Sequence, residues 1–423
     1  MRLVRAAILA GALLTQAPWA RAIDAQIPGP AAGRAENAPS GECRSASPLA
    51  PDTVLEPAGG PRIVLLASPG VGVAALRLAV PIREGASEAG AGRLLRDLAL
   101  ERMQSLARPV GAQVSATRTP WGLAYSVVGA TADFEYLAYL LREAVSVPDL
   151  AGPGFSEARL RLQGDAARAS ETPSRRVAAE LRAQAAPGFP PLEGTPASVQ
   201  ALDTARVRHV WMRSHQASAM TLVVSAPLVP EVVLAATRGM GSPEEEAAAP
   251  DTPSPGAPRP TALQALRSWY GAAWPLPSPR DPRGAIVAAL VAERLRDGGE
   301  GLEARVELWD LPDRSALVVI GSSRPGSAQV LRRFLSAVLA RTRDTLDEAA
   351  AAAAVAWARR QGMLAARTPA GLVAEVGRAM EADGDPLSAA REMEALRAVD
   401  AASVRDLLDQ LLRQRPYTSE VHP

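Results

Sequence analysis

Side chains that commonly carry catalysis are scarce in this 423-residue chain, which has three His, one Cys and no Lys. His209 and His215 stand six residues apart, so a helix would put them on different faces, and His422 lies near the end. None has the spacing of a zinc ligand pair, and each reads as an ordinary surface or capping residue. Cys43 can form no internal disulfide, and no base is organised around it in sequence. Ser40-Gly41-Glu42 ahead of it also lacks the apolar and small residues of a lipidation site. No Gly-x-Ser-x-Gly occurs, and Ser-x-x-Lys is impossible without lysine. Gly70-Val71-Gly72 runs from one strand-like stretch into another, so it reads as a strand turn rather than a phosphate loop. What remains is a charged cluster, Arg93-Leu94-Leu95-Arg96-Asp97, set in an apolar helical stretch. On its own residues it is a salt-linked helix surface.

The elements that must position this cluster are legible from periodicity. Arg62 to Leu66 and Val73 to Val80 look like strands, and Glu88 to Leu106 has apolar residues at helical spacing. Gln113 to Thr117 with Ala124 to Val128 looks like a hairpin, as does Ala304 to Leu308 with Ala316 to Ile320. A helix is predicted after each hairpin, over Asp133 to Val145 and Ser327 to Arg341, and an alanine-rich one over Leu346 to Arg360. This order argues an α+β fold, each copy a largely antiparallel sheet with helices on one face.

The chain also repeats itself. Thr172-Pro173, Val177-Ala178 and Arg182-Ala183 recur 196 residues later as Thr368-Pro369, Val373-Ala374 and Arg378-Ala379. Leu202-Asp203, Val207-Arg208 and Val210 recur at 197 as Val399-Asp400, Val404-Arg405 and Leu407. Phe134, Leu137, Ala138 and Leu141 map at that same offset onto Leu331, Phe334, Leu335 and Val338. Two tandem homologous domains follow, at 62–240 and 261–415, joined by a Pro- and Glu-rich linker at 241–260. Residues 23–61 read as a disordered leader and 416–423 as a tail.

Met1 to Ala22 carries Arg2 and Arg5, an apolar run from Ala6 to Leu14, and the small-x-small site Ala20-Arg21-Ala22. That is the pattern of a secretory signal peptide, and it predicts a periplasmic or extracellular protein. No other stretch approaches the ~20 apolar residues of a membrane helix. With 46 basic and 45 acidic residues, the net charge of +1 gives no reason to expect a nucleic-acid partner.

Duplicated in this order, the elements resemble the insulinase or pitrilysin-like zinc metallopeptidase family over about 62–415. Gly85, Glu88 and Gly90 resemble that family's approach to its catalytic helix, Phe155 to Arg159 resembles the helix bearing its last zinc ligand, and Ala201 to Val224 resembles its closing helix and strand. Active members carry His-x-x-Glu-His, in which two His bind zinc and the Glu activates a water. At the corresponding place stands Arg93-Leu94-Leu95-Arg96-Asp97, and the distal ligand falls near Asp165. Guanidinium groups cannot coordinate a metal. The second copy carries Arg294 and Arg296 where active members usually have an Arg and a Tyr, but no tyrosine. The resemblance therefore implies a non-catalytic member with no cofactor and no metal, paired with a catalytic metallopeptidase-like subunit or with itself. Arg93, Arg96, Asp97 and Asp165 are then degenerate motif positions, lining a former cleft or merely salt-linked. A stand-alone periplasmic peptide-binding or chaperone-like module, holding peptides by edge-strand pairing, is the alternative. An atypical metalloprotease built on Asp97 and Asp165 is a third.

Overall fold

The computed structural model describes residues 47–68, 72–241, 265–296 and 302–422. The expected signal peptide at 1–22, Cys43, nearly all of the expected linker and residues 297–301 lie outside them. In the first half the elements run β1 (Thr53–Leu55), β2 (Arg62–Leu66), β3 (Val73–Pro81), α1 (Ala91–Ala107), β4 (Gln113–Arg118), β5 (Gly122–Ala130) and α2 (Phe134–Val145). They continue through α3 (Pro153–Glu171), α4 (Pro173–Ala185), α5 (Pro196–Ala201), α6 (Thr204–Ser214), β6 (Thr221–Ser225) and α7 (Pro230–Ala236). The second half comprises β7 (Ser268–Pro275), α8 (Pro282–Arg296), β8 (Glu303–Leu311), β9 (Arg314–Ser323) and α9 (Ala328–Asp344). It ends with α10 (Glu348–Ala365), α11 (Pro369–Asp383), α12 (Ser388–Arg397), α13 (Ala401–Arg413) and β10 (Tyr417–Val421).

The two sheets share one plan. The first has the order β1-β2-β6-β3-β5-β4 and the second β10-β7-β9-β8, so β6-β3-β5-β4 and β10-β7-β9-β8 correspond strand for strand. All neighbours are antiparallel except β2 and β6. Caps repeat as well: the Asp203 side chain accepts from Arg206 N–H at 2.8 Å to start α6, and Asp400 accepts from Ser403 N–H at 2.8 Å to start α13. The architecture is α+β, as expected, with two tandem copies.

Two segments differ from expectation. Residues 47–61, read as leader, place Leu49 in the core and pair β1 with β2. Residues 416–423, read as tail, contain β10, which pairs with β7 and buries Ser419 and Val421. Both strands are too short for their alternation to stand out from turn composition.

Each sheet is covered on both faces, which is why β3 and β9 are nearly continuous apolar runs rather than alternating ones. One face carries helices from its own half: α1 and α2 lie on the first sheet in one core with Leu76, Leu78, Tyr125 and Val127, with α3 and α6 behind α1, while α8 and α9 lie on the second with Tyr270, Trp274, Leu317 and Val319, with α13 behind them. The opposite face receives a helix from the other half. α4 lays Val177, Leu181 and Ala185, one residue per turn, on Ala273, Val318 and Ile320 of the second sheet. α11 lays Leu372, Val373, Val376 and Met380 on Val64, Ala75 and Val223 of the first. The repeat offset relates α4 and α11, so the exchange is reciprocal.

At matching places the two contacts use opposite size partitions. Arg77 stands mid-ladder in β3 and lies over Gly377 of α11, where an added Cβ would meet its Cδ at 2.5 Å. Gly271 stands mid-ladder in β7, and a Cβ there would meet Leu181 Cδ1 at 2.7 Å and Val177 Cγ1 at 2.5 Å. Large on sheet meets small on helix in one contact, and the reverse in the other. Arg77 also donates to Glu381 of α11 at 2.6 Å, with the two side chains 11% and 4% exposed. The C-terminal end of α11 is clamped by Arg280, donating to the Ala379 carbonyl at 2.6 Å, and by Arg62, donating to the Gly384 carbonyl at 3.0 Å. Cations there complement the helix dipole.

Removing one partner of the buried pair leaves the other charged and unsolvated. Glu381→Ala is therefore expected to destabilise the chain by about 3–5 kcal/mol in urea unfolding, and the apolar double change Arg77→Leu with Glu381→Leu by clearly less.

Candidate functional site

The chain leaves β3 and enters α1 through a turn made by its own carboxylates. Glu84 accepts from Gly92 N–H at 2.5 Å and from Arg118 at 3.1 Å, satisfying a donor that the helix itself leaves unpaired. Burial pushes the Glu84 carboxyl above its usual range despite the Arg118 charge. Glu88 accepts from Gly85 N–H at 2.9 Å and from Arg213 of α6 at 2.8 Å. Its burial works upward, but the Arg213 and Gly85 hydrogen bonds hold it below the ordinary value. Arg213 also donates to the Arg83 carbonyl at 2.6 Å, so Glu88 ties the turn to α6. The Gly85, Glu88 and Gly90 pattern thus builds the entry to α1.

That entry aims one face of α1 at α3. Arg93 and Arg96 both donate to Asp97, Arg93 Nε at 3.1 Å from Oδ2 and Arg96 Nε at 2.8 Å from Oδ1. Arg93 Nη2 is 3.7 Å from Asp165 Oδ2 on α3, and Asp165 also takes Arg168 at 2.5 Å. All four residues singled out in the sequence therefore meet in one ion-pair cluster. A fifth, Glu193, was not foreseen: it is ion-paired with Arg93 across 100 residues of sequence. Its segment reads as nothing more than a Gly- and Pro-rich turn, so no local signal could have found it. Beneath the cluster Tyr125 of β5 is fully buried, and its hydroxyl has no hydrogen-bond partner among the described residues. Burial pushes that phenol up; the Arg96 charge opposes and the Asp97 charge adds.

The cluster does not suit a zinc ion. Both oxygens of Asp97 are occupied by guanidinium groups, which have no lone pair to give. Among the described residues no three His, Cys, Asp or Glu side chains come together as a metal-binding group. The histidines are elsewhere. His209 Nε2 lies 3.2 Å from Arg213 and 3.9 Å from Glu88, and His422 pairs with Glu420 at 3.2 Å. His215 is buried against the Trp211 ring, its Nδ1 2.9 Å from Ser214 Oγ. Arg159 ties α3 to the end of α5 by donating to the Leu202 carbonyl at 3.0 Å, and Arg294 donates to Thr345 Oγ1 at 2.6 Å in the second half.

Two surfaces flank the cluster. β4, beside α1, is the edge of the first sheet, with Gln113, Ser115 and Thr117 exposed in alternation. A cleft of about 470 Å³ opens between α1, α2 and α6, lined by Leu95, Leu98, Glu143, Trp211 and His215, and the charged cluster is not part of its wall.

Neither family models nor curated proteins match the sequence. Solved structures do match the fold. A protease from Helicobacter pylori aligns with a TM-score of 0.73 at 12% identity, over 88% of this chain and 100% of its own. A peptidase M16 inactive domain from Pseudomonas fluorescens aligns at 0.72 and 12% identity, over 88% and 97%. A chain of complex III from Candida albicans aligns at 0.68 and 12% identity, over 88% and 95%. The fold is that of M16-like peptidases, the insulinase and pitrilysin type named from the sequence, and one of these neighbours is an inactive domain.

Burial holds the His215 imidazole neutral, with its pKa pushed down to about 3. The unfolded chain protonates this ring near 6.5 and the native one does not, so stability is expected to fall as pH drops from about 6.5 toward 3. Urea unfolding at pH 7 and pH 5 checks it: the native chain is expected to lose about 2 kcal/mol more than His215→Phe over that interval.

Proposed function

We propose that this chain is an exported, non-catalytic metallopeptidase-like protein that pairs with an active zinc peptidase and helps to hold its substrate. The observation that carries this reading is the Arg93 guanidinium, which sits among Asp97, Asp165 and Glu193 at the place resembling the family's metal site. A tethered organic cation satisfies those carboxylates, and a metal-activated water has no place to form there. The likeness to an M16 inactive domain supports the same reading, and the likeness to a complex III chain supports a place in a larger assembly. Met1 to Ala22 supports export.

A second reading rests on the free edge of β4. Its outward backbone groups could take an extended peptide as a further strand, with the chain acting alone as a peptide-binding module. Pairing and solitary binding separate in one experiment. Co-expression with a His-x-x-Glu-His-bearing M16-like peptidase from the same source is expected to give a 1:1 complex in size-exclusion chromatography, with faster peptide cleavage than the partner alone. Separate elution of the two chains, with the partner's rate unchanged, would sink the pairing.

A further inference from the structure

Pairing with a peptidase does not explain why the three carboxylates around Arg93 come from three elements. Asp97 belongs to α1 itself and Asp165 to α3, but Glu193 lies on the segment 186–195 that follows α4. α4 is the helix that crosses to the second sheet, so this segment must travel back to the first half. It is fixed at both ends. At its start Ala186 and Phe189 pack with Ala273, Val318 and Trp309 of the second sheet. At its end Gly194 has φ +70°, and a Cβ there would stand 2.7 Å from the Ala89 carbonyl oxygen at the entry to α1. Glu193 is thereby delivered to Arg93.

α4 itself carries a cation to the second sheet. Arg182, near the end of α4, lies with Cζ 4.6 Å from the centre of the Trp309 ring on β8, and Trp309 Nε1 donates to Glu307 at 2.7 Å. Stacking of a guanidinium on indole is favourable and directional. Glu193 therefore stands between the guanidinium of α1 with which it pairs and the start of its own segment, where Ala186 and Phe189 rest on the second sheet.

We propose that Glu193 is an ionic clasp on the return segment: held by Arg93, it closes 186–195, whose start packs with Trp309, and so couples the degenerate motif to β8. The former motif position then has a present task, which is to link the entry of α1 to the sheet on which α4 rests. This holds whether or not the chain pairs with a peptidase. The Glu193 side chain is 49% exposed, so the clasp is worth only what a screened surface pair provides. It is a latch that salt and partner binding can move.

Amide hydrogen exchange on the intact chain at low ionic strength tests it. In Glu193→Gln, and equally in Arg93→Gln, exchange over 186–195 and over β8 is expected to accelerate about threefold. The double variant is expected to go no further than either single one. Molar salt is expected to bring the unaltered chain to the same rates. Glu101→Gln breaks the pair with Arg161, in which both side chains are more than half exposed, and is expected to leave both segments unchanged. Unchanged exchange over 186–195, acceleration that stops short of β8, additive effects in the double variant, or an equal acceleration over β5 would each overturn the clasp.

Discussion

The structure depends on the reciprocal exchange of α4 and α11. Each sheet has two apolar faces, and its own half supplies helices for only one of them. The other face would expose residues such as Val64, Ala75 and Val223, or Ala273, Val318 and Ile320, unless the partner half lent a helix. An exposed apolar face of that kind is a liability in water. Tandem duplication therefore made two units that need each other. The inverted size partition, Arg77 over Gly377 and Gly271 under Leu181, means that the two contacts cannot be interchanged. Interchanged docking would set Leu181 against Arg77 in one contact and Gly377 against Gly271 in the other, bulk on bulk and a void.

The charged cluster inherits its geometry from that exchange. Because α4 leaves its own half, the chain must return along 186–195, and the return carries Glu193 to the first turns of α1. The carboxylates at the turn before α1 hold the other side of the arrangement: Glu84 fixes the helix start and Glu88 fixes the turn to α6. The place that resembles the family's metal site holds a guanidinium on its own tether. The cluster is electrostatically complete without any added ion.

Much of this was legible from sequence, for stated reasons. Short apolar runs bounded by Gly and Pro located β2, β3 and both hairpins to within a few residues, and the offsets of 196 and 197 found the duplication before any topology was known. Arg93, Arg96, Asp97 and Asp165 were singled out and do meet. Other features were hidden because their causes are not local. The stripe Val177, Leu181, Ala185 announces that α4 has an apolar face, but nothing in those residues says which sheet receives it. Glu193 was invisible because its partner is 100 positions away. β1 and β10, at three and five residues, owe their existence to neighbouring strands rather than to their own pattern.

The place resembling a metal site holds Arg93 among its carboxylates, and on the reading proposed above it does no hydrolysis. Elemental analysis of the purified mature protein, run beside a quenched-peptide cleavage assay with and without chelator, meets it most directly. No stoichiometric zinc and no chelator-sensitive cleavage are expected. Zinc near one ion per chain, with cleavage that chelator abolishes and that Asp97→Asn or Asp165→Asn removes, would contradict it.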